Sequence, residues 1–189
     1  MKIFFIIFIF LNLLLNAHQS DDIELKRMIG HMLVVGFDDE YVDENSEIIK
    51  QINKYELGGV ILFDRFYIDR EKTKNISSSK QLQTLTHALK KLSKKPLLIS
   101  VDQEGGKVAR LKPKYGFSEI PSAKNVALGS LTDAQKTYEK MSKMLQENGI
   151  NCNFAPVVDL EVNPKNKVIV GLERSFGSSS KKVLSMQRF

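Results

Sequence analysis

The sequence predicts an α/β protein in which parallel strands alternate with helices, as the first half of a (β/α)₈ barrel. Short apolar runs recur between amphipathic helical segments, and repeated strand–helix–strand units of this kind form parallel sheets. Polar clusters follow the runs, as they do at the carboxyl ends of barrel strands. The chain has 189 residues, of which 42% are hydrophobic and 26% charged, a composition typical of a globular domain with a buried core.

An open doubly wound sheet is the competing arrangement. A nucleotide-binding sheet of that kind carries a glycine-rich phosphate loop after its first strand, and no such loop follows the first apolar run here. Four strands are recognisable in the sequence, whereas a closed barrel has eight strands and typically about 250 residues. We therefore expect the first half of a barrel.

Each element is predicted from its periodicity and its end signals. Helices are indicated where apolar residues recur at a spacing near 3.6, and strands where a short apolar run ends at Gly, Pro or a polar cluster. In chain order the predicted elements are a helix over Asp22–Ile29, a strand over His31–Phe37, a helix over Glu44–Tyr55, a strand over Val60–Phe63, a helix over Ser77–Leu92, a strand over Leu97–Val101, a helix opened by a capping box at Thr132-Asp133-Ala134-Gln135, a strand over Ile150–Phe154 and a helix starting near residue 178.

Residues 1–17 have the pattern of a secretory signal peptide. Lys2 supplies the positive start, the run Ile3–Leu15 is apolar except for Asn12, and cleavage is expected after Ala17. The run is shorter than the roughly 20 residues of a membrane span, and an uncleaved anchor is the alternative. We expect an exported, periplasmic or secreted protein whose folded domain covers residues 18–189, with no stable membrane span after cleavage.

Charge and the scarce residue types argue against several classes of ligand. The net charge is +6, but the lysines are dispersed and are not interleaved with aromatic residues, so we expect no nucleic-acid partner. His18, His31 and His87 show no metal-ligand spacing, so we expect no metal and no cofactor. Cys152 is the only cysteine, which excludes an internal disulfide.

The segment after the third strand carries the densest set of candidate functional residues. Asp102 follows that strand, and its carboxylate can accept hydrogen bonds from substrate hydroxyls; an Asx turn that ends the strand is the structural alternative. Arg110 is expected to point back at Asp102, where its planar guanidinium would bind ligand oxygens. Gly105-Gly106 allows either a plain tight turn or a close approach of the backbone to a ligand.

Three other charged residues complete the candidates. Glu104 is expected to pair locally with Lys107 or Arg110 and so to have a structural role. Arg174 lies in a loop after the fourth strand, where it is either a site residue or a solvated side chain. Asp159 is either a turn former or a site carboxylate.

Three linked sequence blocks resemble glycoside hydrolase family 3. They are Asp-Gln-Glu-Gly-Gly-Lys-Val-Ala-Arg-Leu at Asp102–Leu111, the stretch Gly149–Leu160, and Asn163-Pro164 followed by Glu173-Arg174-Ser175-Phe176-Gly177. The stretch Gly58–Phe63 also fits the second strand of the family. The blocks follow the order and spacing of the family over about residues 24–182, and they are most similar to β-N-acetylhexosaminidases active on peptidoglycan-derived sugars.

The resemblance implies a (β/α)₈ barrel and a carbohydrate substrate. The implied reaction is hydrolysis of O-glycosidic bonds, with exo-acting removal of β-linked N-acetylglucosamine from cell-wall-derived sugars. By the resemblance, Asp102 binds sugar hydroxyls in the −1 subsite, and Arg110 and Arg174 line the same pocket. Lys107 stands where the family more commonly has Arg.

The resemblance assigns no catalytic residue to this sequence. It places the Lys-His pair, the His–Asp acid/base and the Asp nucleophile of the family beyond Phe189, so we expect no hydrolysis by these 189 residues alone. Three alternatives stay open. The chain is an enzyme part completed by a second polypeptide that carries the rest of the barrel, a sugar-binding protein without catalysis, or a truncated or frameshifted remnant.

Overall fold

The computed structural model describes residues 22–187, in which helices and strands alternate as predicted. The elements, in chain order, are α1 (22–31), β1 (Val34–Gly36), α2 (Glu47–Tyr55), β2 (Gly59–Ile61), α3 (Ser79–Leu92), β3 (Leu98–Val101), a 3₁₀ turn (Pro113–Tyr115), α4 (Ala123–Val126), α5 (Leu131–Glu147), β4 (Cys152–Asn153) and α6 (Ser180–Ser185).

The described strands form one parallel sheet in the order β1-β2-β3-β4. Val35 lies opposite Val60, Val60 lies opposite Ile99, and Ser100 lies opposite Cys152. Each strand therefore lies beside the strand that precedes it in the chain. Doubly wound sheets instead reverse their strand order at a switch point, so the observed order is that of consecutive strands in a barrel.

The main core lies between one face of the sheet and helices α2, α3 and α5. On the sheet, Val60, Ile99 and Val101 are fully buried. The helices cover them with side chains spaced along one stripe of each helix, as expected for amphipathic helices on a sheet. These side chains are Ile48, Ile49 and Ile52 of α2, Leu82, Leu85 and Leu89 of α3, and Met141, Met144 and Leu145 of α5.

A second cluster holds the end of the described chain against α4 and α5. Phe176 and Val183 are buried there with Ala134, and the ring of Phe176 meets that of Tyr138 edge-on at a centroid distance of 6.2 Å. Because Phe176 is anchored in this way, the loop residue Arg174 is brought back towards the carboxyl end of the sheet.

The predicted boundaries of two elements are wrong, and the first of them concerns the start of β1. His31 does not enter the first strand but ends α1, and its Nε2 lies 3.1 Å from Oε2 of Glu56. The reason is the turn that closes α1, in which the amide of Leu33 donates to the carbonyl of Gly30, so the strand begins only at Val34.

The capping box of α5 begins two residues earlier than predicted. Ser130, not Thr132, is the N-cap: its Oγ accepts from the amide of Asp133, and Oδ2 of Asp133 accepts from the amide of Ser130, both at 3.2 Å. Ser130 and Asp133 have the N-cap-to-N3 spacing that the motif requires, whereas Thr132 lies inside the first turn. The Ser130 hydroxyl also lowers the pKa of Asp133.

The predicted signal peptide over residues 1–17 lies outside the described residues. Between residues 22 and 187, no helix is long and apolar enough to cross a membrane.

We expect Ser130→Ala to lower the free energy of unfolding by about 1 kcal/mol, because the amides at the start of α5 lose their acceptor. Thr132→Ala is the matched control, two residues further along the chain. It should change the free energy of unfolding by less than about 0.5 kcal/mol. Urea denaturation at neutral pH measures both values. Because the pKa of Asp133 is lowered in the folded state, the contribution of its carboxylate is present above about pH 4 and lost as the pH falls further, so the two variants should converge in acid. A loss at neutral pH that is larger for Thr132→Ala than for Ser130→Ala would place the cap at Thr132 instead, and equal losses would contradict a cap at Ser130.

Candidate functional site

The carboxyl ends of three neighbouring strands bring polar residues to one edge of the sheet. Asp102 directly follows β3, Asn153 ends β4, and Asp64 follows β2 after two more apolar residues. Parallel strands end at the same edge, which in barrel enzymes is the edge that carries the active site. The edge is therefore the candidate functional site.

The alternation of side chains along β3 separates the two polar residues that follow it. Ile99 and Val101 face the helices and are fully buried, whereas Leu98 is 47% exposed on the other side. Continuing the alternation puts Gln103 on the face of Ile99 and Val101, and Asp102 on the face of Leu98 and of Ser100, which is itself buried. Gln103 is indeed fully buried, while the side chain of Asp102 keeps 28% of its surface exposed and is accessible to a ligand.

Gln103 folds the segment after β3 back onto the strand end. Its side-chain Oε1 accepts from the amides of Arg110 at 2.8 Å and Leu111 at 3.0 Å, and its Nε2 donates to the carbonyl of Leu111 at 3.3 Å. Its backbone is bound in turn by the side chain of Asn153, which accepts from the Gln103 amide and donates to the Gln103 carbonyl, both at 3.0 Å. One buried amide side chain thus fixes the position of Arg110 relative to Asp102.

Arg110 points back at Asp102, as predicted. Its Nη2 donates to Oδ2 of Asp102 at 2.9 Å, and its guanidinium lies over the ring of Phe63 at 5.3 Å. The Nε of Arg110 is buried and has no hydrogen-bond partner among residues 22–187. The pair is therefore monodentate, and the guanidinium retains donor capacity beyond its bond to Asp102.

The two glycines of the segment serve a tight turn against the protein itself. Gly105 and Gly106 have φ values of 99° and 55°, in the left-handed region that favours glycine. A Cβ on Gly105 would lie 2.2 Å from the carbonyl oxygen of Pro121, and one on Gly106 would lie 2.6 Å from Cβ of Ser122. Of the two interpretations of this pair, the structure favours the turn, because neighbouring backbone fills the space that a ligand would need.

Glu104 pairs with Arg174, not with Lys107 or Arg110 as predicted. Arg174 donates from Nε and Nη2 to the two carboxylate oxygens of Glu104, each at 2.8 Å. Glu104 is buried, and the bidentate geometry suits a planar guanidinium that arrives from a distant loop. Local spacing did not indicate this contact because the partners are 70 positions apart and are joined only by tertiary packing.

The pKa of Arg174 is raised, first by its hydrogen bonds to Glu104 and then by the charges of Glu104, Asp159 and Asp102. Arg174 is therefore within the electrostatic reach of the candidate site even though its direct partner is Glu104. Asp159 is exposed and uses its backbone carbonyl to accept from the hydroxyl of Ser175 at 2.7 Å.

A second cation braces the same loop. Lys107 donates to the carbonyl of Gly171 at 3.0 Å and lies 3.5 Å from Oε1 of Glu173. The hydroxyl of Ser122 donates to Oε2 of Glu173 at 3.1 Å and, with Lys107, lowers the pKa of Glu173. A single ammonium is sufficient for these contacts, so the lysine at position 107 can make them without the fork of an arginine.

A cleft of about 270 Å³ adjoins Arg110, between the end of β2 and the loop over residues 64–74. Its four lining cations are Arg65, Arg70, Lys74 and Arg110. Its aromatic lining consists of Phe63, Phe66 and Tyr67. Arg174 is not among the lining residues, so the expectation that Arg110 and Arg174 share one pocket stays a prediction.

Asp64, which the sequence placed only in a loop, is a buried acid at this edge. It continues the buried alternation of Val60 and Leu62, and its carboxylate is paired with Nζ of Lys112 at 2.5 Å. Continuing the register of β2 with β3 places Asp64 opposite Gln103, and a polar residue that extends the buried alternation of a strand is the signal that would have singled it out. Its burial and its pairing indicate a structural role. No group of acids, histidines or cysteines within residues 22–187 is placed to hold a metal ion.

Comparison of the sequence with models of protein families identifies the family of this chain. The family model described as the glycosyl hydrolase family 3 N terminal domain matches residues 24–188. The chain belongs to glycoside hydrolase family 3. The match agrees with the resemblance of the three sequence blocks and includes Asp102, Arg110 and Arg174.

Curated relatives are β-hexosaminidases of greater length. The chain is 37% identical over 136 residues to the beta-hexosaminidase of Tolumonas auensis, a match that covers 69% of this chain and 35% of that protein. It is 34% identical over 134 residues to beta-hexosaminidase A of Pseudoalteromonas piscicida, covering 65% of this chain and 20% of that protein. The chain thus spans about a third or less of these two relatives.

Solved structures that superpose on this chain are also longer than it. A glycoside hydrolase family 3 β-N-acetylglucosaminidase from Paenibacillus sp. str. FPU-7 superposes with a TM-score of 0.74 at 30% identity, covering 86% of this chain and 29% of that one. A β-N-acetylhexosaminidase from Beutenbergia cavernae superposes with a TM-score of 0.71 at 26% identity, covering 86% and 47%.

We expect Glu104→Gln to lower the free energy of unfolding by about 2 kcal/mol, because the largely buried guanidinium of Arg174 loses its carboxylate partner. Glu119→Gln removes the same charge from an exposed site and should cost less than about 0.5 kcal/mol. Urea denaturation measures both variants. An equal, small effect of the two changes would show that the pair does not anchor the loop.

Proposed function

We propose that this protein takes part in hydrolysing O-glycosidic bonds, by exo-acting removal of β-linked N-acetylglucosamine from cell-wall-derived sugars. Residues 22–187 would supply the sugar-binding side of the site. One observation carries the proposal: an accessible carboxylate, Asp102, is held by Arg110 at the carboxyl edge of a parallel sheet in a chain that belongs to family 3.

The chemistry of Asp102 suits a neutral sugar. An ionised carboxylate offers about four lone-pair sites, and Arg110 occupies one of them, on Oδ2. The rest can accept from sugar hydroxyls, in charge-assisted bonds that are roughly twice as strong as neutral ones. Arg110 keeps the carboxylate in place while a ligand binds, since the loop that carries the arginine is fixed by Gln103.

Three described acids at this edge are each paired with a cation. Retaining hydrolysis needs a nucleophile and an acid/base on opposite sides of the bond. Glu104 is bound at both oxygens by Arg174, Asp64 is buried against Lys112, and Asp102 is held by Arg110. We therefore propose that both catalytic groups come from segments outside residues 22–187, either of the same protein or of a second polypeptide.

The same observation supports a second candidate, a protein that binds sugars without cleaving them. The relatives support catalysis instead, because they are named as β-hexosaminidases and β-N-acetylglucosaminidases. Export by the predicted signal peptide at residues 1–17 is part of the proposal, since cell-wall sugars are met outside the cytoplasm.

Asp102→Ala should weaken binding of N-acetylglucosamine by about 10-fold or more, because bonds to a charged acceptor contribute about 1.5–3 kcal/mol. Titration of the purified 189-residue chain, followed by NMR at millimolar sugar, measures the affinity. Glu119→Ala removes the same charge from an exposed side chain outside the Asp102–Arg110 pair; it is the matched control and should leave the affinity unchanged. Binding that is absent from the unmodified chain, or unaffected by Asp102→Ala, would contradict the proposed site.

We expect the 189-residue chain alone to release no chromophore from p-nitrophenyl N-acetyl-β-glucosaminide while it still binds the sugar. The reason is that Glu104 and Asp64 are bound by Arg174 and Lys112, and the proposal assigns Asp102 to binding the sugar. A continuous absorbance assay checks this. Turnover by the purified chain that disappears in Asp102→Ala would show that residues of this chain suffice for catalysis.

A further inference from the structure

The cleft beside Arg110 carries more positive charge than the protein around it neutralises. Of its four lining cations, Arg110 is paired with Asp102 and Lys74 with Asp38, at 2.9 Å each. Arg65 and Arg70 also line the cleft, and neither has an ion-pair partner among residues 22–187. Two arginines without counter-charges therefore border the same 270 Å³ space.

The acidic residue that lines the cleft does not neutralise Arg65 or Arg70. Asp64 is its single acidic lining residue in the described chain, and the carboxylate of Asp64 is buried and already bound by Lys112. On the loop itself, Asp69 uses Oδ1 to accept from the amides of Glu71 and Lys72, which fixes it in a turn. No acid among residues 22–187 forms an ion pair with Arg65 or Arg70, so both guanidinium groups have donors available to a ligand.

The loop that forms the cleft is held in place by the fold. Asn75, which is fully buried, accepts from the amide of Phe63 and donates to the carbonyls of Phe37 and Asp39. Arg65 and Thr73 form an antiparallel bridge across the loop. The base of the loop is therefore held in place beside Arg65, while Arg70 and Tyr67 nearer its tip are exposed to solvent.

Arg110 joins the cleft to the proposed sugar site. Its guanidinium bonds to Asp102 on one side and lies over the ring of Phe63, a cleft residue, on another. A ligand whose sugar ring reaches Asp102 would therefore have a neighbouring group at the cleft. Aromatic rings and guanidinium groups together suit a substituent that is anionic and attached to a compact organic body.

We propose that the cleft is an anion-binding subsite that takes a carboxylate or phosphate group carried by the sugar ligand, with Arg65 and Arg70 as its principal ligands. Both groups present oxygen pairs that a guanidinium binds through parallel hydrogen bonds. The position of the sugar rests on the proposed function, whereas the anion-binding property of Arg65 and Arg70 does not.

The test compares four probes on the purified chain at low salt, by NMR or calorimetric titration. The probes are N-acetylglucosamine, N-acetylmuramic acid as its carboxylate-bearing counterpart, N-acetylglucosamine 6-phosphate as its phosphate-bearing counterpart, and inorganic phosphate alone. We expect one of the two charged sugars to bind about 10-fold more tightly than the neutral sugar. Which of them gains identifies the anion that the ligand carries. The advantage should shrink as salt is added, because exposed charges are screened.

Arg65→Gln and Arg70→Gln should each reduce that advantage several-fold and leave the affinity for neutral N-acetylglucosamine unchanged. Lys95→Gln removes one positive charge from an exposed position remote from the cleft and serves as the control. Both arginines lie on the loop outside the core, so thermal unfolding should be unaffected, and it is measured for every variant.

The outcomes separate the two proposals. Equal affinity for the neutral and both charged sugars overturns the anion subsite and leaves the sugar site intact. A charged-sugar advantage that Lys95→Gln reduces as much as Arg70→Gln does also overturns it, since the effect is then one of net charge. Binding of inorganic phosphate that depends on Arg65 and Arg70, without binding of any sugar, supports the subsite and contradicts the proposed function.

Discussion

The burial of one amide side chain, Gln103, is the constraint on which the candidate site depends. A buried amide must satisfy its donor and acceptor groups inside the protein, because leaving them unpaired costs several kcal/mol. Gln103 does so with the backbone of Arg110 and Leu111, and this forces the intervening residues into a closed loop. The glycines at 105 and 106 make the loop sterically possible, and Arg110 returns to Asp102 as a result.

The loop also gives two neighbouring acids different cationic partners. Asp102 and Glu104 are two positions apart, and each is neutralised by a different arginine, Arg110 and Arg174. The first pair is local and partly exposed, so it can exchange contacts with a ligand. The second is more deeply buried and ties the loop to the segment over residues 173–177, which is anchored by Phe176 in the second cluster. Accessibility, not residue type, distinguishes the acid that we propose binds the ligand from the structural one.

The sequence predicted the parts of this arrangement that depend on local pattern. Alternating helices and strands follow from periodicity, and Asp102 and Arg110 follow from a strand end and an eight-residue return. The pairing of Glu104 with Arg174 could not be predicted in this way, because it requires the packing of Phe176 against α5. The start of α5 was misplaced by two residues, since Ser130 and Thr132 are both acceptable caps and only the observed backbone distinguishes them.

Support for the site comes from the helix-covered face of the sheet. Along β2, Val60, Leu62 and Asp64 are all buried on that face, and along β3 the same holds for Ile99, Val101 and Gln103. Asn153 pairs in register with Val101 and binds Gln103 from the neighbouring strand. Gln103 and Asn153, which fold the loop back, thus belong to the packed face, whereas Asp102 and Phe63 belong to the opposite one. The backbone of Arg110 is therefore positioned from the packed face through Gln103, and its guanidinium is oriented on the opposite face by Asp102 and the ring of Phe63.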